Sequence, residues 1–443
     1  MGRRQASSAA PRRSERRPVR TRGGGRRHDL RFRPPDRARR AHPPARGGND
    51  HRVWHGFEPR PGRRAGSSGR RGRARLFLHR RTAHGGDDPK RRARHAVSRL
   101  GRSGANRDAR RRRPVDLRRD RADGGDGMSK SFASAGDLAE KTVSFTEIGR
   151  GLYAFTAEGD PNTGVIIGDE SVMIVEAQAT PRLARKVIDC VRSVTDKPIT
   201  HLALTHYHAV RVLGASAYGA GQILMSETAR AMVAERGAED WESEFRRFPR
   251  LFQGHEEIPG LTWPTTTFNG RMSVYLGGRR VDLMQLGRAH TAGDVVVHVP
   301  DQNVMFTGDI VEYRSACYCG DGHFRDWPTT LEAVRRFDLD AIAPGRGDAL
   351  VGRDSVGAAL DSTADFLRST YRPAAQVALA GGSLKEAHAA VRAACDPKFS
   401  DYAIYEHCLP FNVARAYDEA RDIDTPRIWT AERDAALWSA LQG

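Results

Sequence analysis

The stretch "THYHAVRVLGA", residues 205–215, sets two histidines one residue apart and then supplies nothing that could form a second ligand pair. Histidines so spaced in a loop can both face one ion. Val210 has no donor atom, and Arg211 keeps its charge at any working pH, so neither can coordinate a metal. The stretch is delivered by "ITHLALTH" (199–206), an apolar run that reads as a buried strand. The carboxyl ends of strands are where open α/β sheets gather their ligands.

Working outward, "TVSFTEIGRGLYAFT" (142–156) and "TGVIIGDESVMIVEA" (163–177) each read as two strands around a tight turn. "TPRLARKVIDCVRSV" (180–194) opens with Thr180 and Pro181, and its apolar residues recur at helical spacing, which predicts an amphipathic helix. After the motif come a short strand "QILM", helical pieces through "SETARAMVAERG", and an insertion at 239–260 with amphipathic helical character. A second β-block follows in "MSVYLGG", "RRVDLMQLG", "DVVVHVP" and "NVMFTGD". Helices are then expected near 328–337, 354–379, 384–394 and 411–422. This order suits two packed sheets between outer helices.

Net charge is +19 over 443 residues, which by itself suggests a nucleic-acid binder. The charge is segregated, however. Residues 1–127 hold 39 Arg and one Lys against 12 acidic residues, and the remaining 316 are net acidic by nine. The first segment has no hydrophobic period and too little apolar area to offset chain entropy. It is expected to be disordered or untranslated, with Met128 as the working start, and a nucleic-acid partner is expected only if it is made. Residues 128–350 form the expected main domain and 351–443 a helical extension packed on it. No run approaches the roughly 20 apolar residues of a membrane span. Five scattered cysteines suit a reducing cytoplasm, and the apolar C-terminal helices suit a homodimer.

Three motifs lie in order, each at the end of an expected strand: His206-Tyr207-His208, then "LGRAHTAGD" (286–294), then "FTGD" (306–309). His206, His208 and His290 with Asp309 make a nitrogen–oxygen donor set suited to zinc. This ordered combination resembles the metallo-β-lactamase superfamily over roughly residues 145–350. The resemblance implies an α+β fold, a four-layer αββα sandwich with the metal site at the shared edge of the sheets, here with extra C-terminal helices. It also implies that His206, His208 and His290 are ligands of a first metal and that Asp309 is the carboxylate that usually bridges two.

The departures are confined to the second metal. Where the family places an Asp and a His after the first pair, this chain has Val210 and Arg211; where it places a final His, "APGRGDAL" (343–350) has Arg346. Glu176 stands where relatives often carry Asp. A guanidinium about 4 Å from a dication would meet roughly 8 kcal/mol of repulsion at an effective dielectric of 20. A one-metal site is therefore expected. Arg211 and Arg346 would supply the missing ion's positive charge, either by binding an anionic substrate group or by pairing with Asp309.

The resemblance implies a metal-dependent hydrolase, probing an ester, lactone, thioester or amide carbonyl of a small-molecule substrate with water activated by one zinc ion. Asp309, Arg211 and Arg346 are the candidate catalytic residues, the arginines steadying a developing oxyanion. The alternative is a mononuclear iron dioxygenase of the persulfide-dioxygenase type, with His206, His290 and Asp309 as ligands and His208 outside them. A metal-free binding relic is the third reading. Asp294 reads as a structural carboxylate or a partner of a ligand, and His298 as a satisfied strand residue. His201, His255 and His388 read as surface or strand positions. Cys317, Cys319 and His407 are placed near the site without an assigned role.

Overall fold

Alternating apolar side chains build two sheets whose inner faces share one core. The computed structural model describes residues 132–442, so the expectation for residues 1–127 lies outside the described residues. The first sheet contains β1 (Val143–Gly149), β2 (Leu152–Ala157), β3 (Thr163–Ile167), β4 (Val172–Val175), β5 (Ile199–Ala203), β6 (Gln222–Ser226) and β7 (Thr266–Phe268), in that spatial order. The second contains β8 (Arg271–Leu276), β9 (Arg279–Met284), β10 (Val296–Val299), β11 (Val304–Gly308), β12 (Ala341–Pro344) and β13 (Leu350–Val351), ordered β13-β12-β11-β10-β9-β8. Met173 and Val175 of β4 meet Val304 and Phe306 of β11 between the sheets, while the alternate residues Ile174 and Met305 face helices outside.

Helices cover both outer faces: α1 (Pro181–Val194), a single turn α2 (Ala209–Val212), and α3 (Glu227–Arg247) on the first sheet's side; α4 (Trp327–Arg335), α5 (Arg353–Leu379), α6 (Leu384–Phe399), α7 (Tyr405–Ala420) and α8 (Ala431–Gln442) later in the chain. The expected α+β sandwich with extra C-terminal helices is therefore the observed architecture. The capping prediction for α1 also holds, because Thr180 Oγ1 accepts from the Leu183 N–H at 3.2 Å.

Several element boundaries differ from the sequence reading. The 239–260 insertion is not a separate helix. Helix α3 continues through Gly237 to Arg247, with Met232, Val233 and Gly237 on its buried side. Packing along that side outweighs the weak helix propensity of glycine. Helix α6 runs through Pro397 to Phe399, and α7 starts at Tyr405 and accommodates Pro410. Burial of Cys408, Leu409, Phe411 and Val413 holds α7 across a residue that usually ends a helix. Strands β7, β12 and β13 and helix α8 had no expectation.

Strand direction positions the site. β4, β5, β6 and β7 are parallel neighbours, as are β11 and β12. The loops that leave β5, β9, β11 and β12 carry His206, His290, Asp309 and Arg346, one to six residues after each strand end. Gly308 ends β11 at φ +52°, a left-handed bend that a side chain would strain, and its α-carbon packs against Thr205. That contact locks the third motif onto the first.

Candidate metal centre

His206, His208 and His290 converge, each offering a ring nitrogen, with the three atoms within 4.8 Å of one another. Among the described residues they are the group of three that could hold an ion. All three are buried. His290 Nε2 lies 2.9 Å from His208 Nδ1, and His206 Nε2 is a buried nitrogen with no hydrogen-bond partner.

The opposite nitrogen of each ring is held by an oxygen. His206 Nδ1 lies 2.9 Å from Thr205 Oγ1, His290 Nδ1 lies 2.8 Å from the Tyr318 carbonyl, and His208 Nε2 lies 3.1 Å from Asp321 Oδ2. These oxygens can accept the outer N–H protons, which would leave the inner nitrogens free to coordinate one ion. The three rings thus fit a metal such as zinc.

Asp309 completes the arrangement on one side. Its Oδ2 lies 3.5 Å from His290 Nε2 and 3.8 Å from His206 Nε2. Neighbouring ligands of a tetrahedral zinc stand roughly 3.3 Å apart, so this oxygen is near the fourth position. Its Oδ1 is paired with Arg211 Nη2. Burial would raise the Asp309 pKa, but Arg211, His290 and Arg346 more than offset that and hold it ionised below the usual carboxylate range. Of the two roles the sequence offered Arg211, pairing with Asp309 is the one seen. Arg211 is fully buried, and its Nη1 donates to the Asn162 carbonyl at 3.3 Å. Both its terminal nitrogens already hold a protein acceptor, while its Nε has none.

Arg346 is also buried, with Nη1 donating to the Gly159 carbonyl at 3.1 Å. Gly345 packs so tightly on the Asp309 carboxylate that a side chain there would collide with it, which brings the Arg346 backbone beside the site. Asp294 accepts from the Thr291 N–H and hydroxyl at 2.9 and 2.6 Å, so it braces its own loop instead of touching a ligand. His298 Nε2 lies 3.3 Å from Asn303 Oδ1, as a satisfied strand residue should. His201 lies in β5, half-buried beside Thr200, and His255 stacks edge-on against Phe245. His388 departs from expectation, being buried on the inner side of α6. Burial pushes the Cys317 and Cys319 thiols well above their ordinary range, which disfavours thiolate chemistry. All five cysteines are free.

Sequence reasoning missed the partners that surround these residues. Asp321 accepts from Tyr207 Oη at 2.8 Å and from Arg236 Nη1 at 3.1 Å while it meets His208, and this network holds its pKa at about 2 despite burial. Asp240 and Glu244, one turn apart on α3, accept from the backbone N–H groups of Ala209 and Val210 at 2.7 and 2.8 Å. They cap α2 directly after His208; their i, i+4 spacing inside the presumed insertion was the available signal. Burial lowers the His208 pKa, but Asp240, Asp321 and Glu244 outweigh it and raise it to about 9. Glu176 Oε1 accepts from the Thr205 N–H at 2.9 Å, fixing the strand end before His206.

The loop 315–326 carries both Tyr318 and Asp321 and is pinned by α7. Asn412 Oδ1 accepts from the Cys319 N–H at 2.7 Å, Arg415 Nε donates to the Gly322 carbonyl at 2.6 Å, and Glu419 accepts from the Phe324 N–H at 2.8 Å. The C-terminal helices thereby hold the outer partners of two of the three histidines. Asp321→Asn should weaken metal affinity by about 10- to 100-fold, measured by competition with a chromogenic chelator. An unchanged affinity would show that Asp321 does not orient His208.

The sequence model of the metallo-beta-lactamase superfamily matches residues 156–346. A metallo-beta-lactamase type 2 of Bacillus cereus is 22% identical over 219 residues, covering 47% of this chain and 77% of its own length. A linear primary-alkylsulfatase of Pseudomonas sp. (strain ATCC 19151) is 23% identical over 235 residues, covering 46% of this chain and 44% of the relative. The chain thus spans under half the length of that alkylsulfatase. The structure of a stereoselective inverting sec-alkylsulfatase from Pseudomonas sp. superposes with a TM-score of 0.51 at 16% identity, over 64% of this chain and 50% of the other. That likeness concerns the fold alone. The αββα sandwich, the three ordered histidine and aspartate motifs at its strand ends, and the sequence match agree, and residues 156–346 form a domain of the metallo-beta-lactamase superfamily.

Proposed function

We propose that this protein is a hydrolase working with one zinc ion held by His206, His208 and His290. The observation that carries this reading is the convergence of three ring nitrogens whose opposite nitrogens are all held by oxygens. A zinc ion on three imidazoles supplies Lewis acidity, polarising a carbonyl and bringing the acidity of water near neutrality. Asp309 Oδ2, facing the same space, takes the proton that an attacking water loses, provided that it stands off the ion and leaves the fourth position to that water. Arg211 anchors the other oxygen of that carboxylate and keeps it ionised and oriented. The second metal of relatives is replaced here by the Arg211 guanidinium.

The iron-dioxygenase alternative needs His208 outside the ligand ring. Its Nδ1 instead lies 2.9 Å from His290 Nε2, which favours three equivalent histidines. Protein carrying one zinc per chain should hydrolyse at least one member of a panel of lactones, thioesters, carboxylic esters and amides. Alkyl sulfate esters belong in the panel because two relatives are named as alkylsulfatases. Turnover no greater than that of the metal-free protein across the panel would sink the reading, and stoichiometric iron in anaerobically purified protein would favour the dioxygenase.

A further inference from the structure

Buried arginines in this protein are paired with carboxylates almost throughout. Arg211 meets Asp309, Arg236 meets Asp321 at 3.1 Å, Arg247 meets Asp434 at 3.4 Å, and Arg415 meets Glu419 at 3.4 Å. Arg346 is different. It is 4% exposed, and among the described residues it makes no ion pair; its guanidinium bond runs from Nη1 to the neutral Gly159 carbonyl. Leaving a guanidinium buried without a counter-charge costs several kcal/mol, so such a group calls for an anion.

Asp309 and Glu312 are the buried carboxylates that feel the charge of Arg346, and neither is ion-paired with it: Asp309 is already bound to Arg211. The Glu312 carboxyl accepts from the Arg346 backbone N–H, its Oε2 has no hydrogen-bond partner, and burial pushes its pKa well above the usual range.

Arg346 instead lines a small cleft of about 80 Å³. The other cations of the cleft are already neutralised: Arg250 Nη1 donates to Asp160 Oδ2 at 2.7 Å, and Lys141 Nζ lies 3.0 Å from Asp137. Phe248, Leu251 and Ile404 give it an apolar side. Gly345, the chain neighbour of Arg346, is pressed against the Asp309 carboxylate, so Arg346 stands between this cleft and the metal centre.

We propose that Arg346 is the anion receptor of the substrate site, taking a carboxylate or sulfate group whose apolar chain lies against Phe248, Leu251 and Ile404. Where relatives place a histidine for a second metal, this chain recognises the charge of its substrate. The inference rests on the hydrolase reading for the site's purpose, but the binding it requires is measurable without turnover.

The test is calorimetric titration of the zinc-loaded full chain with decanoate and with decyl sulfate, with decanol as the neutral control. Both anions, or one, should bind at least tenfold more tightly than decanol, and the tighter anion names the headgroup. Arg346→Gln should lose at least tenfold in anion affinity while keeping its metal, and Arg346→Lys should recover part of the loss. The thermal midpoint of ligand-free Arg346→Gln should stay level or rise, since an unpaired buried charge has been removed. Absence of anion binding, equal binding by Arg346→Gln, or a lowered midpoint in that variant would overturn the proposal. Arginine-dependent anion binding without turnover of any panel substrate would leave the receptor standing and remove the hydrolase reading.

Discussion

His206→Ala should reduce bound metal from one ion per chain to nearly none, measured by plasma mass spectrometry after dialysis against trace zinc. His206 Nε2 is a buried ring nitrogen with no hydrogen-bond partner, and Asp309 Oδ2 stands 3.8 Å from it. Burial, followed by the charges of His290 and His208, pushes its pKa well below the ordinary value, so the ring is neutral and its lone pair is available. Removing a direct ligand should cost more than the roughly 10- to 100-fold expected for an outer partner such as Asp321. Hydrolysis should fall to the metal-free background in parallel. Equal metal content in His206→Ala and the parent chain would mean that the histidine trio is a relic of ancestry.

Arg211→Met should destabilise the fold by about 3–5 kcal/mol, read as a shift in the urea midpoint at constant slope. The loss comes less from the missing attraction than from Asp309, which is left charged in the interior facing two histidines. Replacing both partners with apolar residues, as in Arg211→Met with Asp309→Leu, should recover most of the stability, because buried pairs roughly balance their own desolvation. A single variant as stable as the parent would show that Arg211 does not neutralise Asp309. The comparison separates charge replacement from simple packing, since the apolar double variant fills similar space.

The three motifs were readable because each sits at the carboxyl end of a strand, where position in sequence maps directly onto position in space. His206, His208 and His290 were legible through that mapping together with the ordered resemblance of the three motifs to a known family. The apolar periodicity of α1 and the β-branched runs of β3 to β5 were equally local signals. Asp321 and Tyr318 were invisible for the opposite reason. Their loop has no regular pattern, and its shape is dictated by Asn412, Arg415 and Glu419, some ninety residues away in sequence. Helices α6 and α7 cross prolines that local rules treat as terminators, and only their buried faces explain why they continue. The partner of Arg211 was offered as one of two options, and choosing between them required knowing which groups were shut away from solvent.

The stapling of loop 315–326 to α7 has a thermodynamic consequence. An ion that tightens the imidazole ring draws on His208 and His290, and through them on a loop whose posture the last third of the chain dictates. Occupancy at the strand ends and cohesion of the helical tail must then reinforce each other by equal amounts, as linkage requires. Stripping a bound ion would thereby loosen the protein's carboxyl end.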